Sequence, residues 1–201
     1  MRVLVACEFS GRVRDAFRNR GHDAWSCDIT PGQGEHNSYH IQGDVLRYLG
    51  AENNWDMVIG FPPCTYLTTG GNGWQNTWRD QRTAEAVEFV RVIASAPAKY
   101  VAIENPQGRL STLWRKPDQT VEPFWFGDPW MKRTCLWLIN LPPLYIDEEY
   151  YCRGPVHRWV SSGGTSKNKV GGGTRNVTKR SLTFPGIARA MAMQWGVLPC
   201  E

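Results

Sequence analysis

The run Met57-Val58-Ile59 stops at Gly60 and meets two consecutive prolines, Pro62-Pro63, before delivering Cys64. This stretch, Trp55 to Leu67, restricts the fold more than any other. A short apolar run bounded by Gly and Pro reads as a buried central strand of a parallel sheet. The prolines stop the strand and stiffen the turn that follows. In open α/β sheets, ligands and chemistry sit just beyond the carboxyl ends of the strands. A thiol held there is a candidate nucleophile. The competing reading is a small buried hydrophobe, which is what most free cysteines are.

The chain before this stretch repeats the same grammar. Arg2 to Cys7 is a short apolar strand, and Glu8-Phe9-Ser10-Gly11 is a turn. A helix is predicted from about Arg12 to Asn19, with Gly21 as its C-terminal stop. Ala24 to Asp28 is a second strand ending in an acid. Strand, Gly-containing turn, helix, strand and acid make the first βαβ unit of a nucleoside-binding α/β domain. The turn lets backbone approach a ligand, and the acid accepts hydrogen bonds from ribose hydroxyls. Thr30 to Tyr39 reads as a loop, and His40 to Val45 as a short strand running into Gly43-Asp44. Asp44 is placed to cap the following helical turn, Val45 to Leu49, or to bind an adenine amino group.

Beyond Cys64 lies Thr68 to Trp74, a Gly-rich loop that suits a lid or a plain connector. Trp78 to Ala96 has helical periodicity in Ala84, Val87, Val90 and Ala94, and Pro97 ends it. Lys99 to Glu104 is another buried strand, ending Glu104-Asn105-Pro106. It is expected beside the strand that carries Cys64. A carboxylate at the end of an apolar strand is expensive to desolvate and tends to hold its proton. Asp118 to Phe126 reads as irregular β structure rich in aromatics. Lys132-Arg133 leads into a strong β run to Ile139, and Thr183-Phe184-Pro185-Gly186 opens a helix from Ile187 to Trp195.

Charge divides the chain. Tyr150 to Cys200 holds eight Lys or Arg and no Asp or Glu, whereas the first 149 residues carry a net −3. Arg153 to Arg180 is also rich in Gly, Ser and Thr, and reads as a flexible basic loop. Such asymmetry points to a polyanionic partner, nucleic acid first, with a solvated basic loop as the bland alternative. Lys167, Lys169, Arg175, Lys179 and Arg180 are the candidate phosphate-binding residues. The ten tryptophans suit either packing or base stacking. The six cysteines form no C-x-x-C and no zinc spacing, so no metal is expected and the pattern fits a reducing cytosol. No signal peptide and no apolar run near 18 residues is present, so the expectation is a cytoplasmic protein without a membrane partner.

In this order, the elements resemble the DNA cytosine carbon-5 methyltransferases, in particular the short phage and prophage type. Glu8-Phe9-Ser10-Gly11 is similar to that family's cofactor turn, Phe-x-Gly-x-Gly. Asp28 falls where the family keeps its ribose acid, and Gly43-Asp44 where it keeps an adenine-binding Gly-Asp. Gly60-Phe61-Pro62-Pro63-Cys64 resembles the Gly-x-Pro-Cys-Gln nucleophile turn, and Glu104-Asn105-Pro106 resembles Glu-Asn-Val. Lys132-Arg133 before a β run is similar to the Gln-x-Arg-x-Arg segment, and Thr183 to Trp195 to the last family helix. Several positions depart from the pattern. An extra proline precedes Cys64, Thr65 replaces Gln, Cys135 replaces the second Arg, and the cofactor turn has fewer glycines. Only about Asp147 to Ser181 stands where full-length members insert a target-recognition domain.

The resemblance implies an α/β Rossmann-like S-adenosylmethionine-dependent methyltransferase fold, mostly parallel, with helices on both faces. It implies one domain over 1–201 with a basic loop at about 150–181. Glu8, Phe9, Ser10, Gly11, Asp28, Asp44, Phe61 and Pro62 would hold S-adenosylmethionine. Cys64 would add to carbon-6 of cytosine, Glu104 would hold ring nitrogen 3, and Arg133 would support the ring carbonyl or a phosphate. The partner would be DNA, as a duplex with a flipped cytosine or as a single strand. An oligomer or partner protein would supply site recognition, and a phage-encoded enzyme would work in its bacterial host's cytoplasm. The rivals are an amino-methyltransferase of adenine or cytosine, carbon-5 chemistry on a free nucleotide, another alkyl donor, and a non-catalytic nucleic-acid binding module.

Overall fold

The computed structural model describes residues 1–68, 77–158 and 182–199. Its centre is a seven-stranded sheet. The strands are β1 (Arg2–Ala6), β2 (Asp23–Asp28), β3 (His40–Gln42), β4 (Met57–Gly60), β5 (Tyr100–Pro106), β6 (Gln119–Val121) and β8 (Thr134–Ile139). The order is β3-β2-β1-β4-β5-β8-β6. β3 through β5 are parallel neighbours, and β8 runs antiparallel to both β5 and β6. The expected mostly parallel Rossmann-like sheet is therefore present. The expected pairing of the Cys64 strand with the Glu104 strand is also present, Gly60 lying opposite Ile103.

The helices are α1 (Arg12–Arg18), α2 (Thr77–Ala94), α3 (Leu110–Leu113) and α4 (Pro185–Trp195). Alternate residues of the strands feed two cores. Val3, Val5, Met57, Ile59 and Ala102 pack with Val13 and Phe17 of α1 and with Ile187, Met191 and Trp195 of α4. Leu4, Ala6, Val58, Val101 and Ile103 pack with Val87, Val90 and Ile93 of α2. Each sheet face is thus covered by helix, which explains why the strands read as continuous apolar runs rather than alternating ones.

Several details differ from the sequence reading. β5 runs to Pro106 because β8 supplies it with ladder partners as far as Thr134. The turn after Asp44 is a 3-10 turn, Val45–Tyr48, too short for an α-helix. A two-stranded sheet joins β7 (Trp130–Met131) to β9 (His157–Arg158), which no periodicity announces in segments of two residues. No helix among the described residues is long and apolar enough to cross a membrane. The Gly-rich stretch 69–76 and the candidate phosphate-binding residues Lys167, Lys169, Arg175, Lys179 and Arg180 lie outside the described residues.

Candidate active site

The strand order reverses between β1 and β4, since β2 lies on one side of β1 and β4 on the other. Connections diverge there and leave a crevice beyond the carboxyl ends of those two strands. The turn Cys7 to Gly11 leaves β1 at this edge, and Phe61 to Leu67 leaves β4. Asp28 ends β2, Asp44 follows β3 by two residues, and Glu104 lies near the end of β5. The candidates on β1 to β5 therefore gather at one edge of the sheet.

In the β1 turn, Glu8 is buried at 4% exposure. Its Oε1 accepts from the Val13 amide at 2.7 Å and the Ser10 hydroxyl at 3.1 Å, and its Oε2 from the Arg14 amide at 3.4 Å. The carboxylate satisfies amides that begin α1, where the helix dipole favours negative charge. Desolvation nevertheless pushes its carboxyl above the usual glutamate range, against those hydrogen bonds and the Arg14 charge. Phe9 and Ser10 are buried as well. Gly11 sits at φ +73°, where a Cβ would also collide with Arg14 and the Gln33 carbonyl.

Arg14 was not foreseen as a site residue. It is fully buried. Its Nε pairs with Asp15 at 2.8 Å, Nη1 donates to Ser26 Oγ at 2.9 Å, and Nη2 donates to the Gln33 carbonyl at 2.6 Å. Ser26 Oγ lies 2.8 Å from His40 Nδ1, and His40 Nε2 lies 3.0 Å from the Thr30 carbonyl. Asp15 also accepts from the Glu35 amide at 2.8 Å. This network ties the loop after Asp28 to α1 and β2. The available signal was one arginine, Arg14, beside Val13 on the helix's apolar side.

Asp28 and Asp44 each spend one oxygen on a nearby amide. Asp28 Oδ1 accepts from Thr30 at 2.8 Å and Asp44 Oδ1 from Leu46 at 3.0 Å. The capping role expected of Asp44 is thus present. Among the described residues the second oxygen of each accepts no hydrogen bond. Ile29, beside Asp28, is 78% exposed and Leu46, beside Asp44, is 42% exposed. Burial, then the charges of Asp28 and Asp44, push the Cys27 thiol up to about 12, and the Cys7 thiol still higher.

The Cys64 turn is fastened at several points. Phe61 N donates to the Ala6 carbonyl at 2.9 Å, and Asn105 Nδ2 donates to the Pro62 carbonyl at 2.9 Å. Cys64 is half-buried, and its carbonyl accepts from Leu67 at 3.0 Å and Thr68 at 3.1 Å. Leu67 is fully buried, and its carbonyl accepts from the Arg109 amide at 2.7 Å. Thr83 of α2 donates to the Tyr66 carbonyl at 3.3 Å. A Cβ on Gly108 would strike the Leu67 carbonyl, so only glycine allows this approach. Asn105 is 1% exposed, and among the described residues its buried Oδ1 has no partner.

Glu104 opens onto a cleft of about 300 Å³ with Lys132, Thr134, Thr183, Phe184 and Ile187. Desolvation raises its carboxyl above the ordinary range, opposed by the Lys132 charge and the Thr134 hydroxyl, which donates to Oε1. Lys132 Nζ also lies 5.5 Å from the centre of the Phe184 ring. Arg133 points elsewhere. Its side chain is 61% exposed and its Nε lies 3.4 Å from Glu122 Oε1. Among the described residues, the cation that shares the Glu104 cleft is Lys132.

No protein-family model and no curated protein sequence matches the chain. Among solved structures it is similar to an E. coli prophage-encoded protein described as a DNA modification methyltransferase, at 18% identity and a TM-score of 0.45. That match covers 68% of this chain and 45% of the other. It is also similar to the S. pombe Dnmt2 methyltransferase, at 18% identity and a TM-score of 0.46, covering 72% of this chain and 53% of that one. The chain thus spans about half the length of these two proteins.

Proposed function

We propose that this chain is an S-adenosylmethionine-dependent methyltransferase that modifies carbon-5 of cytosine in DNA through a covalent Cys64 adduct. The observation that carries the reading is the pairing of β4 with β5 at the sheet's switch point. It puts a fastened Pro-Pro-Cys turn beside a strand whose Glu104 is pushed toward its protonated form. In the same reading, the enzyme is a single domain and the basic stretch 150–181 binds phosphate.

The cofactor has a matching set of side chains. The second oxygens of Asp28 and Asp44 suit ribose hydroxyls and an adenine amino group, and exposed Ile29 and Leu46 offer apolar surface for a purine. The backbone of Phe9 to Gly11, with Phe61 and Pro62 across the switch point, would complete the pocket. When bound, S-adenosylmethionine supplies an electrophilic methyl group.

Cytosine carbon-5 is a poor nucleophile. Addition of the Cys64 thiolate at carbon-6 moves electron density onto carbon-5 and ring nitrogen 3. Protonated Glu104 donates to nitrogen 3 and stabilises that charge. Lys132, in the same cleft, supports the ring carbonyl, and exposed Arg133 suits a phosphate. Once carbon-5 is methylated, loss of its proton breaks the carbon-6–sulfur bond and frees Cys64. The base must be single-stranded or flipped to enter.

The test incubates the protein with isotope-labelled S-adenosylmethionine and DNA, then digests the DNA to nucleosides. 5-Methylcytosine supports the reading. N4-methylcytosine or N6-methyladenine replaces it with amino-methylation. Labelling of a free pyrimidine nucleotide alone moves the substrate off DNA. No transfer despite cofactor binding leaves a binding module.

A further inference from the structure

A second cavity, of about 410 Å³, lies beside α4 and shares no residue with the Glu104 cleft. Trp125, Tyr145, Tyr150 and Met193 form its apolar walls, and Asp147 and Arg189 open onto it. Tyr145 is 71% exposed, Tyr150 51% and Met193 39%. Folding therefore gains little from these side chains, and large exposed apolar groups around a concavity mark binding.

The walls are held in place from the backbone side. Gln194 Oε1 accepts from the Tyr145 amide at 2.6 Å, while its Nε2 donates to the Tyr145 carbonyl at 3.0 Å. The Tyr150 amide donates to the Asp147 carbonyl at 3.0 Å. The polar groups are only partly used. Arg189 Nη2 donates to the Phe126 carbonyl at 3.1 Å, and Asp147 Oδ1 accepts from the Glu149 amide at 2.9 Å. Among the described residues Asp147 and Arg189 do not pair with each other. An acceptor and a planar donor thus face one cavity without satisfying one another.

We infer that this cavity binds a nucleobase bearing an exocyclic amino group, stacked against the aromatic walls. Asp147 accepts from the amino group, and Arg189 donates to a neighbouring ring nitrogen or carbonyl. Base–aromatic stacking and carboxylate recognition of the cytosine amino group are the physical precedents. The inference deepens the proposed nucleic-acid reading and rests on it for the source of the base. The base comes from a single strand or from a free nucleotide, and the chemistry of recognition is the same.

The test reads the methyl resonance of Met193 in full-length protein labelled with 13C-methyl methionine. Cytidine monophosphate, uridine monophosphate, adenosine monophosphate and a short single-stranded oligonucleotide are titrated separately. A saturable Met193 shift is expected with amino-bearing bases, and buried Met57 is expected to stay still. Tyr145→Ala weakens binding about tenfold or more, from the worth of one stack. Asp147→Asn, which keeps the oxygen that caps Glu149, shifts preference from cytidine to uridine. A shift with nucleotides assigns a free-nucleotide site, and a shift with the oligonucleotide alone assigns a strand site. An unmoved Met193, an equal shift with phenol, or unchanged titrations in both variants overturns the inference. Met193 reports no methyl transfer, so this result and the Cys64 chemistry fail independently.

Discussion

Replacing Asn105 with leucine, which is close to its shape, should separate stability from catalysis. Asn105 is 1% exposed and donates to the Pro62 carbonyl at 2.9 Å, while its own Oδ1 has no partner among the described residues. Losing the donor orphans a carbonyl in the turn, at about 1–3 kcal/mol. Losing the unpartnered Oδ1 removes a desolvation penalty of about the same size. The two nearly cancel, and the denaturation midpoint should correspond to a change within about 1 kcal/mol. The Pro-Pro turn, however, loses its tether to β5. A displacement near 1 Å at a reacting group costs about a hundredfold in rate, or about 2.7 kcal/mol of barrier. Urea denaturation and single-turnover methyl transfer at saturating DNA and cofactor measure the two effects. A rate within threefold of wild type would refute the tether, and so would a rate loss fully explained by an unfolded fraction.

Glu104 has a folded-state affinity for its proton above that of an ordinary glutamate, whose reference value is 4.5. That contribution to stability is full below 4.5 and fades as pH rises through the raised folded value. Between pH 4 and 8, urea midpoints of wild type should therefore fall relative to Glu104→Gln, and a constant difference contradicts the assignment. Ser26→Ala removes an acceptor from buried Arg14 and should destabilise by about 1–3 kcal/mol while loosening the loop after Asp28. Calorimetry should then show weaker S-adenosylmethionine binding, and unchanged affinity argues against that loop's role. DNA affinity should fall linearly on a log–log plot against salt, and a flat plot removes the basic stretch from the binding surface.

Most of the sheet was legible because its strands are buried on both faces and read as short apolar runs closed by Gly, Pro or an acid. Val3-Leu4-Val5-Ala6 and Met57-Val58-Ile59 carry that signal directly. That the strand leading to Cys64 lies beside the strand ending in Glu104 followed from sequential strands pairing, and β4 and β5 are neighbours in the sheet. The parts that were not legible depend on contacts between distant segments. β7 and β9 are two residues each and exist only through one another. Arg14 is polar on an apolar helix side, and its partners come from β2 and the loop at Gln33. Arg133 and Lys132 are adjacent in sequence, and which one reaches Glu104 depends on how β8 meets β5. The spacing of the motif could not decide between them.

The most direct test of the central claim is a covalent trap. The purified chain is mixed with S-adenosylmethionine and an oligonucleotide containing 5-fluorocytosine, as duplex and as single strand, and the product is weighed intact. Fluorine at carbon-5 cannot leave as a proton does, so the cysteine adduct cannot collapse. The account predicts a mass equal to protein plus methylated oligonucleotide, absent in Cys64→Ala. No adduct with either substrate, while cofactor binding is intact, would contradict carbon-5 chemistry through Cys64.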